Sequence, residues 1–205
     1  MEISYRGANC IVIKSKGATL VIDPTNNVKV NELNKDGTVV LATQGDFAPK
    51  NSSAFVIDMP GEYERDDVSI KGIAMKRNID PEGKNATLYT IDMAGTKIAV
   101  MGHITAPIED DVLEEIGMVD IVAIPVGGGG YTLDARDAAS VVRQISPKIV
   151  IPTHYADSSI KYEVPQEPVD QFVKELGGAH EKTSSLKLKN NSMPEVITVY
   201  VITRS

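Results

Sequence analysis

The sequence predicts an α/β fold, two β-sheets sandwiched between helices, on three observations. The first half is a series of short β-rich segments punctuated by turn residues. Beyond residue 105 apolar strands alternate with stretches of helical period. With 205 residues, 42% of them hydrophobic, the chain is long enough for one sizeable core, folding being expected to bury roughly 70% of the unfolded surface. One domain over 1–205 is expected.

In chain order, Glu2 to Tyr5, Cys10 to Lys14 and Ala18 to Ile22 read as strands, with Lys16-Gly17 as the hairpin turn between the last two. A polar stretch follows Asp23-Pro24. The apolar strand Thr38 to Ala42 then opens into Thr43-Gln44-Gly45-Asp46-Phe47-Ala48-Pro49, a loop by composition. Ala54 to Ile57, Val68 to Met75, Ala86 to Met93 and Lys97 to Met101 are further strands, the last two joined at Ala94-Gly95, and Pro60 to Glu64 reads as a turn. Thr105-Ala106-Pro107 is expected to start a helix with Ile108, Val112, Leu113 and Ile116 on one face. Ile121 to Val126 is a β-run bounded by Gly127 to Gly130. A second helix is expected from Thr132 to Pro147, then a buried strand from Lys148 to Pro152, a third helix from Val169 to Leu176 ending at Gly177-Gly178, and β-segments at Ser184 to Leu188 and Val196 to Ile202. Strands meandering first, then βαβ units, is the pattern of two sheets covered by helices.

Composition narrows the function classes. The net charge of -7, without long blocks of either sign, provides no basic footprint for a phosphate backbone, so nucleic acid is not an expected partner. No stretch approaches the roughly 18 apolar residues of a membrane span, and Met1 to Arg6 does not resemble a secretion signal, so a cytoplasmic protein is expected. The lone Cys10 sits in an apolar run, which reads as a buried strand thiol and excludes a Cys-rich zinc cluster.

In α/β proteins functional groups collect at the carboxyl ends of strands. Four such ends here carry polar or glycine-rich residues: Thr43 to Asp46, Gly102-His103, Gly127 to Gly130, and Pro152 to Tyr155. His154 follows an apolar strand that would fix it at a rim, as a metal ligand, a proton-transfer group or a partner of a nearby carbonyl. His103 also ends a strand, as a candidate ligand or an ordinary loop histidine. His180, at an expected helix exit, reads as surface. The glycine run Gly127, Gly128, Gly129, Gly130 before Tyr131-Thr132 either cradles a small anion on free N–H groups or lets the loop bend tightly beside a site. It matches no nucleotide motif. Glu62 is either catalytic or a cap.

Taken in order, these segments resemble the metallo-β-lactamase fold superfamily, specifically its branch of metal-dependent hydrolases similar to ascorbate-6-phosphate lactonase. The resemblance rests on Tyr5-Arg6-Gly7 with the hairpin to Asp23-Pro24, on Pro60 to Glu64, on Met118 to Gly129, and on Pro147 to Tyr155. It implies an αββα sandwich of two mixed β-sheets with helices on the outer faces. Members usually bind one or two zinc or similar ions through a His-x-His-x-Asp-His loop after the fourth strand, a later His, an Asp following Gly, and a final His. By that correspondence Gln44 and Asp46 stand where the first two histidines would be, Ala48 and Pro49 where the Asp and third His would be, His103 in place of the bridging acid, and Ala8 where a histidine often follows the early Gly. His154 alone keeps its family place.

Catalytic zinc normally needs three protein ligands and an open position, so a two-metal site is not expected. The primary reading is a degenerate, non-catalytic or binding relative, with a small anionic molecule as partner. The alternative is a hydrolase of a small ester, lactone or phosphodiester with one zinc or iron ion on Asp46, His103 and His154. Gln44, Glu62, Gly127, Gly128, Gly129 and Tyr155 are expected to line the pocket in either case.

Overall fold

The computed structural model describes residues 1–205 except 26, 27, 29, 31, 33–36, 51, 80–84, 190 and 191, so most of the predicted polar stretch after Pro24 lies outside the described residues. Strands β1 (Glu2–Gly7), β2 (Cys10–Ser15), β3 (Ala18–Ile22), β4 (Thr38–Leu41), β5 (Phe55–Ile57), β6 (Gly61–Arg65), β7 (Val68–Lys76), β8 (Asn85–Met93) and β9 (Thr96–Val100) precede α1 (Asp110–Ile116). Then come β10 (Ile121–Pro125), α2 (Ala135–Ile145), β11 (Ile149–Thr153), α3 (Val169–Leu176), β12 (Ala179–Thr183), β13 (Leu186–Lys187) and β14 (Thr198–Ile202).

They form two mixed sheets. The smaller has the order β13-β1-β2-β3-β4-β5, parallel only from β3 to β5; the larger has the order β12-β14-β11-β10-β9-β8-β7-β6, parallel from β12 to β9 and antiparallel beyond. Alternation along each strand decides what each face meets. Ile3, Tyr5, Ile11, Ile13 and Leu20 of the smaller sheet pack against Tyr89, Ile91, Ile98, Ile121 and Ile149 of the larger. The larger sheet's other face, through Leu88, Ala99, Val122 and Val150, meets Ile116 of α1, Val141 and Val142 of α2, and Phe172 of α3. Strands β10 and β11 are therefore buried on both faces, which is why they read as unbroken apolar runs. All three described helices cover the larger sheet. Cys10, Val12, Val21 and Val40 on the smaller sheet's outer face pack with Val28 and Val30 of the following loop, and Cys10 is buried and free as expected. No helix among the described residues is long and apolar enough to cross a membrane.

Several boundaries differ from expectation. Gly61–Arg65 is a strand rather than a turn, paired antiparallel with β7; the turn is Asp66-Asp67, whose φ values of 51° and 60° are those of a tight hairpin. The predicted Ala94-Gly95 turn has the same form, φ 53° and 73°. Helix α1 starts at Asp110, because Ile104 and Thr105 pair with the end of β7 (Arg77↔Ile104; Thr105 N–H to the Lys76 carbonyl, 3.1 Å) and so cannot coil. Helix α2 starts at Ala135, capped by the Asp134 carboxylate, which accepts from the Asp137 N–H at 2.8 Å. The segment holding His180 is edge strand β12, paired with β14; its exposed polar run has no apolar period to betray it, though His180 is on the surface as expected.

Two contacts tie the end of β4 to the larger sheet. The Thr87 N–H donates to the Thr43 carbonyl (2.8 Å), and the Tyr89 hydroxyl, buried among core aliphatics, lies within reach of the Ala42 (3.1 Å) and Ile57 (3.2 Å) carbonyls. Replacing Tyr89 by Phe keeps the packing and takes the hydroxyl donor from the Ala42 carbonyl, while the Ile57 carbonyl keeps the Ala42 N–H (2.9 Å), so we expect a loss of about 1 kcal/mol in urea unfolding with the slope unchanged; an unaltered midpoint would show the bridge to be energetically idle.

Candidate functional site

The four strand ends singled out in the sequence converge. The loops after β4, β9, β10 and β11 surround a cleft of about 950 Å³. Gly102, at φ 62°, lies so close to Thr43 that a side chain there would collide with it, and this contact sets His103 beside the β4 loop. Gly127 passes against the His154 carbonyl with no room for a Cβ. It backs the site, as tight glycine bending beside it implies.

Beneath the cleft is a buried hydrogen-bond network centred on Asp23, which is 0% exposed. Its carboxylate accepts from the Asn9 Nδ2 (2.6 Å), the Thr43 N–H (2.7 Å) and the Thr43 hydroxyl (2.7 Å), and the Asn9 Oδ1 accepts from the Thr153 hydroxyl (2.6 Å). Burial raises the Asp23 pKa to about 6, against the pull of those three donors; at neutral pH it remains chiefly a carboxylate. The next residue after Thr153 is His154, whose N–H donates to the Ala8 carbonyl at 2.6 Å. Ala8, Asp23 and His154 all hold left-handed backbone, φ 49°, 43° and 49°, each costing on the order of 1 kcal/mol for a non-glycine residue. Such strain persists only where surrounding bonds fix it, as the network does here.

Orientation of His154 follows from its neighbours. The Gln166 amide nitrogen faces the Val164 carbonyl at 3.0 Å, which turns its Oε1 toward the His154 Nδ1, also at 3.0 Å. An oxygen there can only accept, so Nδ1 carries the proton and Nε2 is a bare lone pair. Burial lowers the His154 pKa and keeps the ring neutral. Burial lowers that of His103 well below the usual range, with His154 and Arg77 pushing in the same direction. His103 is 2% exposed, and neither ring nitrogen has a hydrogen-bond partner among the described residues, a deficit worth roughly 1–3 kcal/mol per group unless something in the cleft fills it. Aromatic rings crowd around it: Phe47 at 5.1 Å, Tyr131 at 5.1 Å and His154 at 4.9 Å between centroids, with Tyr162 5.1 Å from His154.

Of the residues expected at the site, His103, His154, Gln44 and Asp46 all line the cleft. Asp46 does not join the histidines: on a single 3-10 turn (Gly45–Phe47) its side chain is 85% exposed and points to Arg77, 3.9 Å away. No group of three or more His, Cys, Asp or Glu among the described residues is placed to hold a metal ion. Ala48 and Pro49 line the cleft without a donor. Tyr155, one residue past His154, points the other way, stacks on Tyr5 (5.4 Å) and gives its hydroxyl to the Ile202 carbonyl. Glu62 on β6 lines a separate groove with Lys71 and Glu115. In the glycine loop the Gly128 N–H donates to the Leu133 carbonyl, those of Tyr131 and Thr132 donate to the Gly128 carbonyl, and Asp134 occupies the start of α2, so these N–H groups do not face an anion. Sequence reasoning missed Asn9, Asp23, Arg77, Tyr131, Tyr162 and Gln166 as site residues. Only Asp23, a carboxylate closing the apolar run Leu20-Val21-Ile22, carried a local signal.

Residues 2–154 match the family described as Beta-lactamase superfamily domain. A UPF0173 metal-dependent hydrolase of Thermoplasma volcanium is 30% identical over 194 residues, covering 76% of this chain and 83% of its own, and one of Symbiobacterium thermophilum is 29% identical over 191 residues, covering 76% and 84%. A crystal structure from Thermotoga maritima, described as a Zn-dependent hydrolase of the metallo-beta-lactamase superfamily, superimposes with a TM-score of 0.78 at 27% identity over 98% of this chain and 97% of that one. The two-sheet fold expected from the sequence is the fold of that relative.

The hydrogen-bond assignment is directly measurable. Long-range proton–nitrogen correlation spectra at pH 7 should show His154 protonated on Nδ1 and bare on Nε2. Because both pKa values are lowered, His103 and His154 should stay neutral at pH 6.5, where an ordinary histidine is half charged. A protonated Nε2, or two imidazolium rings at that pH, contradicts the assignment.

Proposed function

The chain belongs to the beta-lactamase superfamily and, within it, to the UPF0173 family, and from that premise we propose that it keeps the scaffold and cleft of its relatives without their metal-hydrolase chemistry, as a binding relative that takes a small anionic molecule. One observation carries this reading: aromatic rings and an arginine surround the two cleft histidines, and although Asp46 and Glu163 also line the cleft, no three potential ligands among the described residues are placed to hold an ion. Zinc in a catalytic site takes three protein donors, and among the described residues only His103 and His154 converge, so the residues described do not fit a one- or two-ion centre of the family's kind. Arg77, Lys50 and Lys161 bring positive charge to the cleft against the carboxylates of Asp46 and Glu163. The neutral rings behind them exclude water without adding charge of their own.

A second reading is favoured by one feature, the two unpartnered nitrogens of His103 beside His154. Turning Asp46 away from Arg77 would complete the set for a single zinc or ferrous ion, and the protein would then hydrolyse a small ester, lactone or phosphodiester.

Elemental analysis of protein purified without chelator separates the two. We expect transition metal far below about one equivalent per chain, unchanged after incubation with zinc and desalting. Zinc, iron or manganese at about one equivalent or more would overturn the proposed reading in favour of the second.

A further inference from the structure

The ring cluster narrows the ligand further, on the premise that the cleft binds a small anion. Of the chain's seven tyrosines and three phenylalanines, Tyr131, Tyr162 and Phe47 all line this one cleft, as do two of its three histidines. Their centroids step from Phe47 to His103 to His154 to Tyr162 at 4.9–5.1 Å, an arrangement that offers faces and edges to a flat partner. The volume of about 950 Å³ lies within the range that encloses small organic ligands and far exceeds what an inorganic ion needs.

Polar groups specify the rest of the ligand. The bare Nε2 of His154 requires a donor, because Gln166 has fixed the proton on the opposite nitrogen. His103 is buried with both nitrogens unpartnered, and a neutral imidazole brings one donor and one acceptor to whatever fills the cleft. Arg77 spends its Nε on the Asn85 carbonyl (3.2 Å). Its terminal nitrogen forms a long ion pair at 3.9 Å, beyond hydrogen-bond distance, with Asp46, whose side chain is 85% exposed, so a ligand carboxylate that displaces Asp46 can take the guanidinium in a bidentate grip. Arg77 is also close enough to act electrostatically on both His103 and Tyr131, so the cation and the rings belong to one site.

We propose that the cleft binds a small planar aromatic or heteroaromatic carboxylic acid bearing a ring O–H or N–H. The carboxylate pairs with Arg77, the ring lies among Phe47, Tyr131 and Tyr162, and the O–H or N–H is donated to His154. The donor requirement disfavours anions without an O–H or N–H, and the cleft volume and the rings favour an aromatic acid over phosphate or a saturated acid.

Titration calorimetry with 4-hydroxybenzoate tests this, set against 4-hydroxycyclohexanecarboxylate and inorganic phosphate, on protein whose metal content has been measured in the same preparation. The aromatic acid should bind saturably, with the saturated acid and phosphate at least about tenfold weaker. Arg77→Gln and Tyr131→Leu should each weaken it by about tenfold, with circular dichroism and unfolding midpoint checking that the variants fold. Absence of saturable binding of 4-hydroxybenzoate to metal-free protein overturns the aromatic-acid assignment and leaves the binding-relative reading standing. Equal binding of the saturated acid also overturns it, as a site that reads charge alone. If the protein carries stoichiometric metal and chelation abolishes binding, the reading of the cleft as a metal-independent site fails with it.

Discussion

The Asp23 carboxylate is the constraint on which the rest of the site depends. It closes β3 with no room for solvent, and among the described residues its charge is met by the Asn9 amide and by the N–H and hydroxyl of Thr43. Desolvation outweighs those three donors, which is why the pKa moves up to about 6 and not down. Through Asn9 the same network reaches Thr153 on the opposite sheet, so one buried acid fixes the ends of β3, β4 and β11 relative to each other. His154 and the β4 loop inherit their positions from it. The left-handed backbone at Ala8, Asp23 and His154 is held by this arrangement, and the strain sits where the cleft is built.

What chain direction and period determine was readable beforehand. Strands β1 to β4 and β7 to β11 announced themselves by apolar runs between turn residues, and α3 by its span between Pro168 and the Gly177-Gly178 stop. Strands β6 and β12 did not, because Gly61–Arg65 and Ala179–Thr183 are exposed edges whose residues alternate nothing apolar. Pairing with a neighbour, not composition, makes them strands.

Within the site the same division holds. That the loops after β4, β9, β10 and β11 meet was legible, since parallel strands of α/β sheets deliver their carboxyl ends to one edge. Which way each side chain points was not. Asp46 sits two residues from Gln44 along the chain, but the intervening 3-10 turn rotates it outward to Arg77, and Tyr155 alternates away from His154 into the core. The aromatic neighbours come from residues 47, 131 and 162, distant in sequence and silent individually. In the glycine run that resembled an anion cradle, the Gly128 N–H is spent on the Leu133 carbonyl, and the N–H groups of Tyr131 and Thr132 on the Gly128 carbonyl.

On the proposed reading, hydrogen bonds and packed rings hold the cleft without a metal ion. Histidines whose pKa values burial lowers, an internal acid satisfied by amide and hydroxyl donors, and an arginine at the rim are the groups that would give the site its shape on that reading. Thermal unfolding with and without an excess of a strong zinc and iron chelator tests this most directly, since only a metal bound to the native state couples chelation to stability. The account predicts midpoints that coincide within about 1 °C. A fall of roughly 5 °C or more on chelation, reversed by adding back zinc or iron, would contradict it.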